Sequence, residues 1–141
     1  MAMPKVQNLF RAPKRRLPME ELAEVRAVTN DGFEGCAHAR SGQKRQVLLV
    51  DRETLEAMDL QPGIIRENIT TDGLNVNSLR IGQLLRVGEA QLEVSAVCNP
   101  CDQMEAIRLG LRKELWGRRG MLCRVLEGGV IRRGDAIEKL S

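Results

Sequence analysis

Gln46-Val47-Leu48-Leu49-Val50 is the stretch of the chain that indicates its fold most clearly. A continuous apolar run of this length, without polar alternation, predicts a β-strand that is buried on both faces. Asp51 follows as an N-cap for a helix over residues 52–58, and Pro62-Gly63 then marks a turn. We therefore expect a fold built around a central, covered strand.

Short strands separated by frequent turns are predicted on both sides of this stretch. Extended segments are indicated at 5–10, 22–28, 64–71, 84–87, 91–97, 121–126, 130–131 and 135–140. Alternation along 91–97 predicts that Ser95 faces out of the sheet. A helix is predicted over 102–115, broken or kinked at Gly110, and a short helix at 19–23 is an alternative to a strand there. About seven or eight strands with one or two helices predict a mainly β, α+β fold of the barrel or sandwich type.

The composition fits one globular domain spanning residues 1–141. A chain of 141 residues is of ordinary single-domain size, and no linker, repeat or low-complexity tract divides it. With 43% hydrophobic and 29% charged residues, the chain is globular rather than disordered. Phe10, Phe33 and Trp116 are its only aromatic residues, so the core is expected to be aliphatic.

The sequence also bears on location and partners. No apolar run approaches the roughly 20 residues that cross a bilayer, and residues 1–5 lack a signal-peptide pattern. We therefore expect a cytoplasmic protein without membrane association, whose four cysteines are not disulfide-bonded. A net charge of +3 and scarce aromatics argue against nucleic-acid binding. Basic residues cluster at 14–16, 44–45, 118–119 and 132–133, and such clusters are usually solvated faces.

Cys101 is the first candidate for chemistry. It follows Pro100 at the predicted start of a helix, where free backbone amides and the helix dipole would favour a thiolate. A thiolate there can act as a nucleophile, a sulfur carrier or a soft metal ligand. The alternative is a small, buried hydrophobic residue, since cysteine is among the most buried residue types.

Two further groups extend the candidate site. Cys98 forms a C-x-x-C pair with Cys101, which can be a redox pair or half of a zinc site that Cys36 and His38 would complete. The redox version usually lies in a βαβ unit, which the predicted pattern lacks. His38 and Arg40 share a loop with several glycines and could form one wall of an anion site, although a single histidine is more often structural.

Polar residues of three other segments are candidates as well. Asn68 offers two donors and an acceptor, which suit either a polar heterocycle or a local backbone cap. Arg119 and Arg124 flank a predicted strand, and guanidinium groups bind phosphate in a bidentate manner. Glu127 could instead neutralise either arginine.

Taken in order, the motifs resemble the MOSC family, the type of domain found at the C-terminus of molybdenum-cofactor sulfurases. The resemblance is clearest over residues 25–140. It is carried by Gly35-x-x-His38-Ala39, Arg45-Gln46-Val47, Arg66-Glu67-Asn68-Ile69-Thr70, Leu79-x-Ile81-Gly82, Asn99-Pro100-Cys101, and Arg119-Gly120-x-x-x-Arg124-Val125-Leu126-Glu127-Gly128-Gly129-Val130-Ile131.

The resemblance implies a compact β-barrel fold and a molybdenum-cofactor-binding or sulfur-carrying function. Cys101 would bear a persulfide or ligate molybdenum, as the catalytic residue and the metal ligand. The pterin phosphate would be held by Arg45, Arg119 and Arg124. Asn68 and His38 would contact the ligand. Many members carry Gly-Asp-x-His where this chain has Gly35-Cys36-Ala37-His38, so a carboxylate beside the pocket is replaced by a thiol.

The resemblance also implies that a separate molecule must supply sulfur or electrons. No pyridoxal-phosphate domain, flavin motif or iron–sulfur motif is found in the sequence. We therefore expect no pyridoxal phosphate on this chain, and a separate partner: a sulfur donor such as a cysteine desulfurase, or an electron-transfer protein. Whether the chain is an enzyme is open, as a sulfur transferase or as a molybdenum-dependent reductase of N-hydroxylated compounds. A non-catalytic zinc or interaction module using Cys36, His38, Cys98 and Cys101 is the remaining alternative.

Overall fold

The apolar stretch at 47–50 forms the central strand of the protein. The computed structural model describes residues 3–140, in which eleven strands and three short α-helices alternate. The strands are β1 (Lys5–Arg11), β2 (Glu20–Leu22), β3 (Glu24–Val28), β4 (Gly32–Phe33), β5 (Val47–Asp51), β6 (Ile69–Asp72), β7 (Leu84–Val87), β8 (Ala90–Val97), β9 (Met121–Glu127), β10 (Gly129–Arg132) and β11 (Ile137–Lys139). The helices are α1 (Arg52–Ala57), α2 (Gln103–Ile107) and α3 (Leu111–Glu114), with one 3₁₀ turn at Val76–Ser78.

Two sheets organise these strands. The larger sheet has eight strands in the order β11-β7-β8-β9-β5-β6-β1-β2, and the smaller has three in the order β10-β3-β4. Strands β5 and β6 are parallel, whereas the other paired strands of residues 3–140 are antiparallel. A parallel pair needs a crossover connection, and α1 with the turn that follows it supplies that connection.

Strand β5 is buried along its whole length, as the apolar run predicted. Val47 and Leu49 belong to the main aliphatic core beneath the sheet. Leu48 and Val50 point the other way, into a second apolar cluster that the three helices cover with Leu55, Met104, Leu111 and Leu115. Both faces of β5 are therefore shielded from water, which explains why its side chains do not alternate between apolar and polar.

The closed β-barrel implied by the family resemblance is not found, because the eight-stranded sheet is open. Strand β2 occupies the edge of β1 at Leu9–Arg11. Only the first part of β1 can therefore reach the segment before β11, where Val6 bonds Gly134 and Asp135 through the backbone. An isolated bridge between Lys5 and Ala136 lies in the same stretch, and next to it the Ile137 amide donates to the Pro4 carbonyl. The mainly β, α+β fold class is confirmed.

The helices number three, one more than the one or two predicted. The helix expected over 102–115 is broken at Gly110, as predicted, into α2 and α3, because Gly110 adopts φ +86° and its neighbours cannot continue one helix. The short helix considered at 19–23 is wrong, since this segment forms β2. Asp51 precedes α1 as predicted, but its carboxylate makes no capping hydrogen bond. None of the helices in residues 3–140 is long and apolar enough to span a membrane.

Ser95 faces inward, against the predicted alternation. The register of β8 against β9 shifts between Val94 and Ala96, and such a bulge reverses the facing of the next residue. The Ser95 hydroxyl consequently donates to the carbonyl of Lys44, at an oxygen–oxygen distance of 2.5 Å. This bond attaches the segment before β5 to the sheet.

Gly120, at the start of β9, lies in tight contact with β5. It has φ +114°, and a Cβ atom there would overlap the carbonyl oxygen of Leu49 and lie 2.9 Å from Val50 Cγ2. Gly117 also has positive φ, at +79°, but a Cβ atom there would meet nothing within 4 Å.

We expect Gly120→Ala to lower the free energy of unfolding by about 2–4 kcal/mol, since it adds a backbone clash to the strain of a positive φ. Gly117→Ala, the matched control, should cost only about 1 kcal/mol because it carries the φ strain alone. Urea unfolding followed by circular dichroism measures both. Equal losses for the two variants would show that the contact with β5 is not tight.

Candidate functional site

A pocket of about 460 Å³ lies where four segments of the chain meet. These are the segment leading into β5, the turn before β6, the segment after β8, and the start of β9. The pocket is lined by His38, Arg40, Gln43, Arg45, Gln46, Val47, Leu48, Arg66, Asn68, Cys98, Asn99, Pro100, Cys101, Gln103, Arg119 and Leu122. The lining contains four arginines and no Asp or Glu, so its charge is of one sign.

Cys101 presents its thiol at this pocket. It is exposed, whereas Cys36, Cys98 and Cys123 are buried. Burial raises the pKa of the Cys123 thiol to about 12, which keeps that thiol protonated. Cys101 is therefore the cysteine whose sulfur a second molecule can reach.

The surroundings of Cys101 differ from the predicted helix start. Helix α2 begins at Gln103 and has only five residues, so its dipole contributes little to the surroundings of the sulfur. The segment is held instead by its backbone. The Cys98 amide donates to the carbonyl of Gly120 at 3.1 Å, and the Met104 amide donates to that of Cys101 at 3.0 Å.

Two arginines bring buried, unpaired donors to the pocket. Arg119 is only 7% exposed. Its Nη2 donates to the carbonyl of Ile65 at 2.7 Å, but its Nε and Nη1 are buried without a partner among the described residues. Arg66 donates from Nη1 to the carbonyl of Leu17 at 2.5 Å, and its Nη2 is likewise buried and unpaired. Buried charged donors without partners are costly, and both of these arginines belong to the pocket lining.

Three further arginines considered from the sequence differ in whether they line the pocket. Arg40 donates from Nη1 to the carbonyls of Ala37 and Ala39, at 2.8 and 3.1 Å, which holds its guanidinium against its own loop. Arg45 is exposed at the rim. Arg124, predicted with Arg45 and Arg119 to hold a phosphate, does not line the pocket. Its Nη2 lies 3.4 Å from Asn30 Oδ1.

His38 shares the pocket with these cations. Burial and the nearby charges of Arg66, Arg40, Arg119 and Arg45 lower its pKa from 6.5 to about 4. The imidazole is therefore neutral at neutral pH, with one nitrogen able to donate a hydrogen bond and the other able to accept one.

Asn68 lines the pocket, but its carboxamide is used within the fold. Its Oδ1 accepts from the Leu48 amide at 2.9 Å, and its Nδ2 lies 3.2 Å from the Phe10 carbonyl and 3.4 Å from Cys36 Sγ. The Asn68 amide in turn donates to the Leu48 carbonyl. The side chain thus bonds main-chain groups of two distant segments, rather than forming the local cap considered from the sequence, and it joins β5, β1 and the His38 loop.

A protein-family model described as the MOSC domain matches residues 37–138 of the chain. The chain belongs to the MOSC domain family. This family is linked to molybdenum-cofactor sulfurases and related proteins, as the sequence motifs indicated.

Solved structures share the MOSC fold seen here. The YuaD protein from Bacillus subtilis is 19% identical, with a TM-score of 0.83 over 96% of this chain and 94% of its own. YiiM from Geobacillus stearothermophilus is 19% identical, with a TM-score of 0.81 over 98% of this chain and 75% of its own. YiiM from Escherichia coli is 21% identical, with a TM-score of 0.70 over 96% of this chain and 70% of its own. No protein of curated function matches the sequence.

Cys36 stands where the family resemblance leads us to expect an aspartate. Its sulfur accepts from the Ala12 amide at 3.3 Å, the His38 amide at 3.4 Å and Asn68 Nδ2. The sulfur therefore joins its own loop to β1 and to the turn before β6. No group of three or more His, Cys, Asp or Glu side chains in residues 3–140 could hold a metal ion, so the zinc module is not assembled.

Three residues that support the site were not identified as such from the sequence. Gln46 is buried and bonds the Arg40 carbonyl through Nε2 and the Val125 amide through Oε1. Glu67 is buried and accepts from the Gly63 amide and the Thr70 hydroxyl, and burial raises the pKa of its carboxyl. Arg66 contributes its unpaired donor. The Arg-Glu-Asn motif contained two of them, but not the contacts that define their roles.

We expect the stability of the protein to fall as the pH falls from about 6.5 to 4, because His38 has a lower pKa in the folded chain than in the unfolded chain. In this window the unfolded state binds a proton that the folded state does not. His38 is the only histidine, so its NMR signal can be followed directly, with an expected midpoint of about 4. His38→Gln should flatten the stability profile. A His38 titration midpoint near 6.5 would contradict the placement of this imidazole in a buried site beside four arginines.

Asn68→Ala should lower the free energy of unfolding by about 3 kcal/mol, because the Leu48 amide and the Phe10 carbonyl lose their partner in a buried place. Asn99→Ala is the control, since Asn99 lines the same pocket but is exposed, and it should change stability by less than about 0.5 kcal/mol. Chemical denaturation measures both. An unchanged free energy of unfolding for Asn68→Ala would mean that the carboxamide serves a ligand rather than the fold.

Proposed function

We propose that the pocket binds the molybdenum cofactor or carries sulfur for it, with Cys101 as the thiolate ligand or the persulfide carrier. The observation that carries this proposal is the pairing of an accessible thiol with buried, unpaired guanidinium donors in one pocket. Neither feature stabilises the fold by itself. Together they suit a ligand with an anionic end and a soft, thiophilic end.

The anionic end of such a ligand has identifiable partners. Arg119 and Arg66 offer three buried donor nitrogens, and Arg45 and Arg40 add positive charge nearby. Guanidinium groups bind the oxygens of a phosphate with several parallel hydrogen bonds. The absence of Asp and Glu from the lining removes repulsion toward a dianion. We infer that the pterin phosphate would lie against Arg119 and Arg66.

The metal end would lie against Cys101. Thiolate is a soft ligand that suits thiophilic transition metals, and the pocket offers no competing carboxylate. A volume of about 460 Å³ is in the range of sites that hold a cofactor-sized molecule. When bound, the molybdenum cofactor supplies two-electron redox chemistry and atom transfer at the metal.

The residues of this chain prepare the site for that ligand. Arg119, Arg66, Arg45 and Arg40 neutralise the phosphate and orient it. His38 is neutral, so it can donate one hydrogen bond to the ligand without adding charge. Asn68 acts indirectly, by holding the wall that it shares with β5.

Sulfur carriage would use the same thiol. The Cys101 thiolate attacks the outer sulfur of a donor persulfide, a new S–S bond forms at Cys101, and the donor cysteine leaves as its thiolate. Atoms and electrons balance without an added oxidant. The other three cysteines are buried, so the donor must be a separate molecule, and we propose a cysteine desulfurase in this role. An electron-transfer protein takes its place if the chain instead reduces N-hydroxylated compounds.

Labelling of Cys101 tests the proposal. Purified protein incubated with a cysteine desulfurase and L-cysteine should gain one sulfur atom on the peptide that contains Cys101, as seen by mass spectrometry. Cys101→Ser should abolish the gain. Cys98→Ser is the matched control, because Cys98 lines the same pocket but is buried, and it should retain the gain.

Cofactor content is the second readout of the same test. Protein made in a host that synthesises molybdopterin should contain pterin and molybdenum in equal amounts, and Arg119→Gln should reduce both. Circular dichroism of Arg119→Gln checks that the loss does not come from unfolding, and Arg124→Gln, whose side chain does not line the pocket, should keep both. Turnover of an N-hydroxylated base with an artificial electron donor, abolished by Cys101→Ser, would assign the reductase reaction. Absence of both a Cys101 persulfide and bound molybdopterin would contradict the proposed function.

A further inference from the structure

A basic loop beside the pocket has no role in the site described above. Lys14, Arg15 and Arg16, which we name the tribasic loop, lie between β1 and β2 and are all exposed. Within residues 3–140, none of the three forms an ion pair with a carboxylate. The sequence alone favoured a solvated face for this cluster.

Both ends of the tribasic loop are hydrogen-bonded to residues that line the pocket or adjoin its lining. Before the loop, the carbonyl of Ala12 accepts a hydrogen bond from the amide of Ala37, the neighbour of His38, at 2.8 Å. After the loop, the carbonyl of Leu17 accepts from Arg66 Nη1. His38 and Arg66 both line the pocket, so the two ends of the loop are attached next to it, whereas Lys14, Arg15 and Arg16 are not themselves lining residues.

The cations near this mouth have no carboxylate partners among the described residues. Several arginines elsewhere on the surface lie against carboxylates, as in the pairs Arg11–Glu20, Arg52–Asp72, Arg112–Asp102 and Arg132–Glu24. Around the pocket, Arg40, Lys44 and Arg45 lack such partners, as the tribasic loop does. A set of like charges around a concave mouth repels itself and concentrates anions there.

Arg66 links the inner and outer charges. One of its terminal nitrogens holds the loop through Leu17, and the other is buried and unpaired beside the pocket. An anion bound by Arg66 and Arg119 would therefore lie within the same hydrogen-bonded structure as the tribasic loop. A ligand with a second anionic group could reach both.

We propose that the tribasic loop is a second anion subsite, and that the ligand of the pocket carries two linked phosphoryl groups, as in diphosphate or a diphosphate ester. The inner phosphoryl group lies against Arg119 and Arg66, and the outer one against Lys14, Arg15 and Arg16. This inference rests on the proposed function for its inner site. It goes further by giving the anionic end of the ligand a second phosphoryl group.

A protein partner with an acidic face fits the loop less well. Stable protein interfaces bury at least about 1,000 Å² and have an apolar centre. Leu17 and the prolines on either side of the loop are the only apolar groups that the segment exposes. The anion subsite needs only charge and hydrogen-bond donors, and the loop supplies these.

Calorimetric titration of the full chain at constant ionic strength tests the subsite. We expect pyrophosphate to bind about tenfold more tightly than inorganic phosphate. The variant K14Q/R15Q/R16Q should lose this preference while its affinity for phosphate stays within about a factor of two. The variant R80Q/K113Q/K139Q removes the same charge from exposed, unpaired positions outside the pocket and should keep the preference.

The source of the diphosphate is decided by adding AMP and ADP to the titrations. ADP binding about tenfold tighter than AMP, with the same dependence on the loop, would identify an esterified diphosphate. Pyrophosphate preference without ADP preference would identify free diphosphate. Either result supports the second subsite.

Other results would overturn the inference. Equal affinity of the wild-type protein for phosphate and pyrophosphate would do so, as would an equal loss of preference in the two triple variants. Binding of a polyglutamate peptide through the loop, without a pyrophosphate preference, would show a docking surface for an acidic protein instead. Failure of the wild-type protein to bind phosphate at all, with Arg119→Gln unchanged from it, would count against the proposed function itself.

Discussion

The hydrogen bonds between Asn68 and Leu48 attach the candidate site to the most buried strand of the protein. Strand β5 has little freedom to move, because both of its faces are packed and both of its edges are paired. Asn68 accepts from and donates to the same residue of that strand, and its amide nitrogen reaches β1 and the Cys36 loop. The position of the His38 wall relative to Arg66 therefore follows from a rigid strand rather than from the loops themselves. Positioning of this kind is what a binding site needs before its ligand arrives.

The pocket region contains buried charged groups without a full set of hydrogen bonds. Arg119 is buried with two unpaired nitrogens, and the buried acid Glu67 accepts from Gly63 and Thr70 at Oε2 while its Oε1 is unpaired. His38 stays neutral among four cations, which limits further repulsion. Proteins usually satisfy buried polar groups, and exceptions concentrate where a ligand supplies the missing partner. The anionic end of the proposed ligand would supply partners for these groups.

Much of the fold could be predicted because it depends on local patterns. Strands β5, β7, β8 and β9 followed from apolar runs and turns, and the residues brought together at the pocket include Cys101, Arg45, Arg119, His38 and Asn68.

The errors in the sequence-based prediction arise where distant segments compete for the same strand edge or where the register of a strand pair shifts. Barrel closure depends on β2 occupying the edge of β1, and the facing of Ser95 depends on a bulge opposite β9. Arg66 holds a carbonyl 49 residues away, which no local pattern contains.

The side chains that shape the pocket bond mainly to backbone atoms. Arg40, Arg66 and Arg119 donate to main-chain carbonyls, and Ser95 does the same. Asn68 and Gln46 also use main-chain partners. A main-chain carbonyl is present whatever residue occupies the position, so a substitution at the acceptor leaves the bond intact. Substitutions can then accumulate over most of the domain without breaking the hydrogen bonds that shape the pocket. This gives a physical reason why structures only about one-fifth identical to this chain can retain the same architecture.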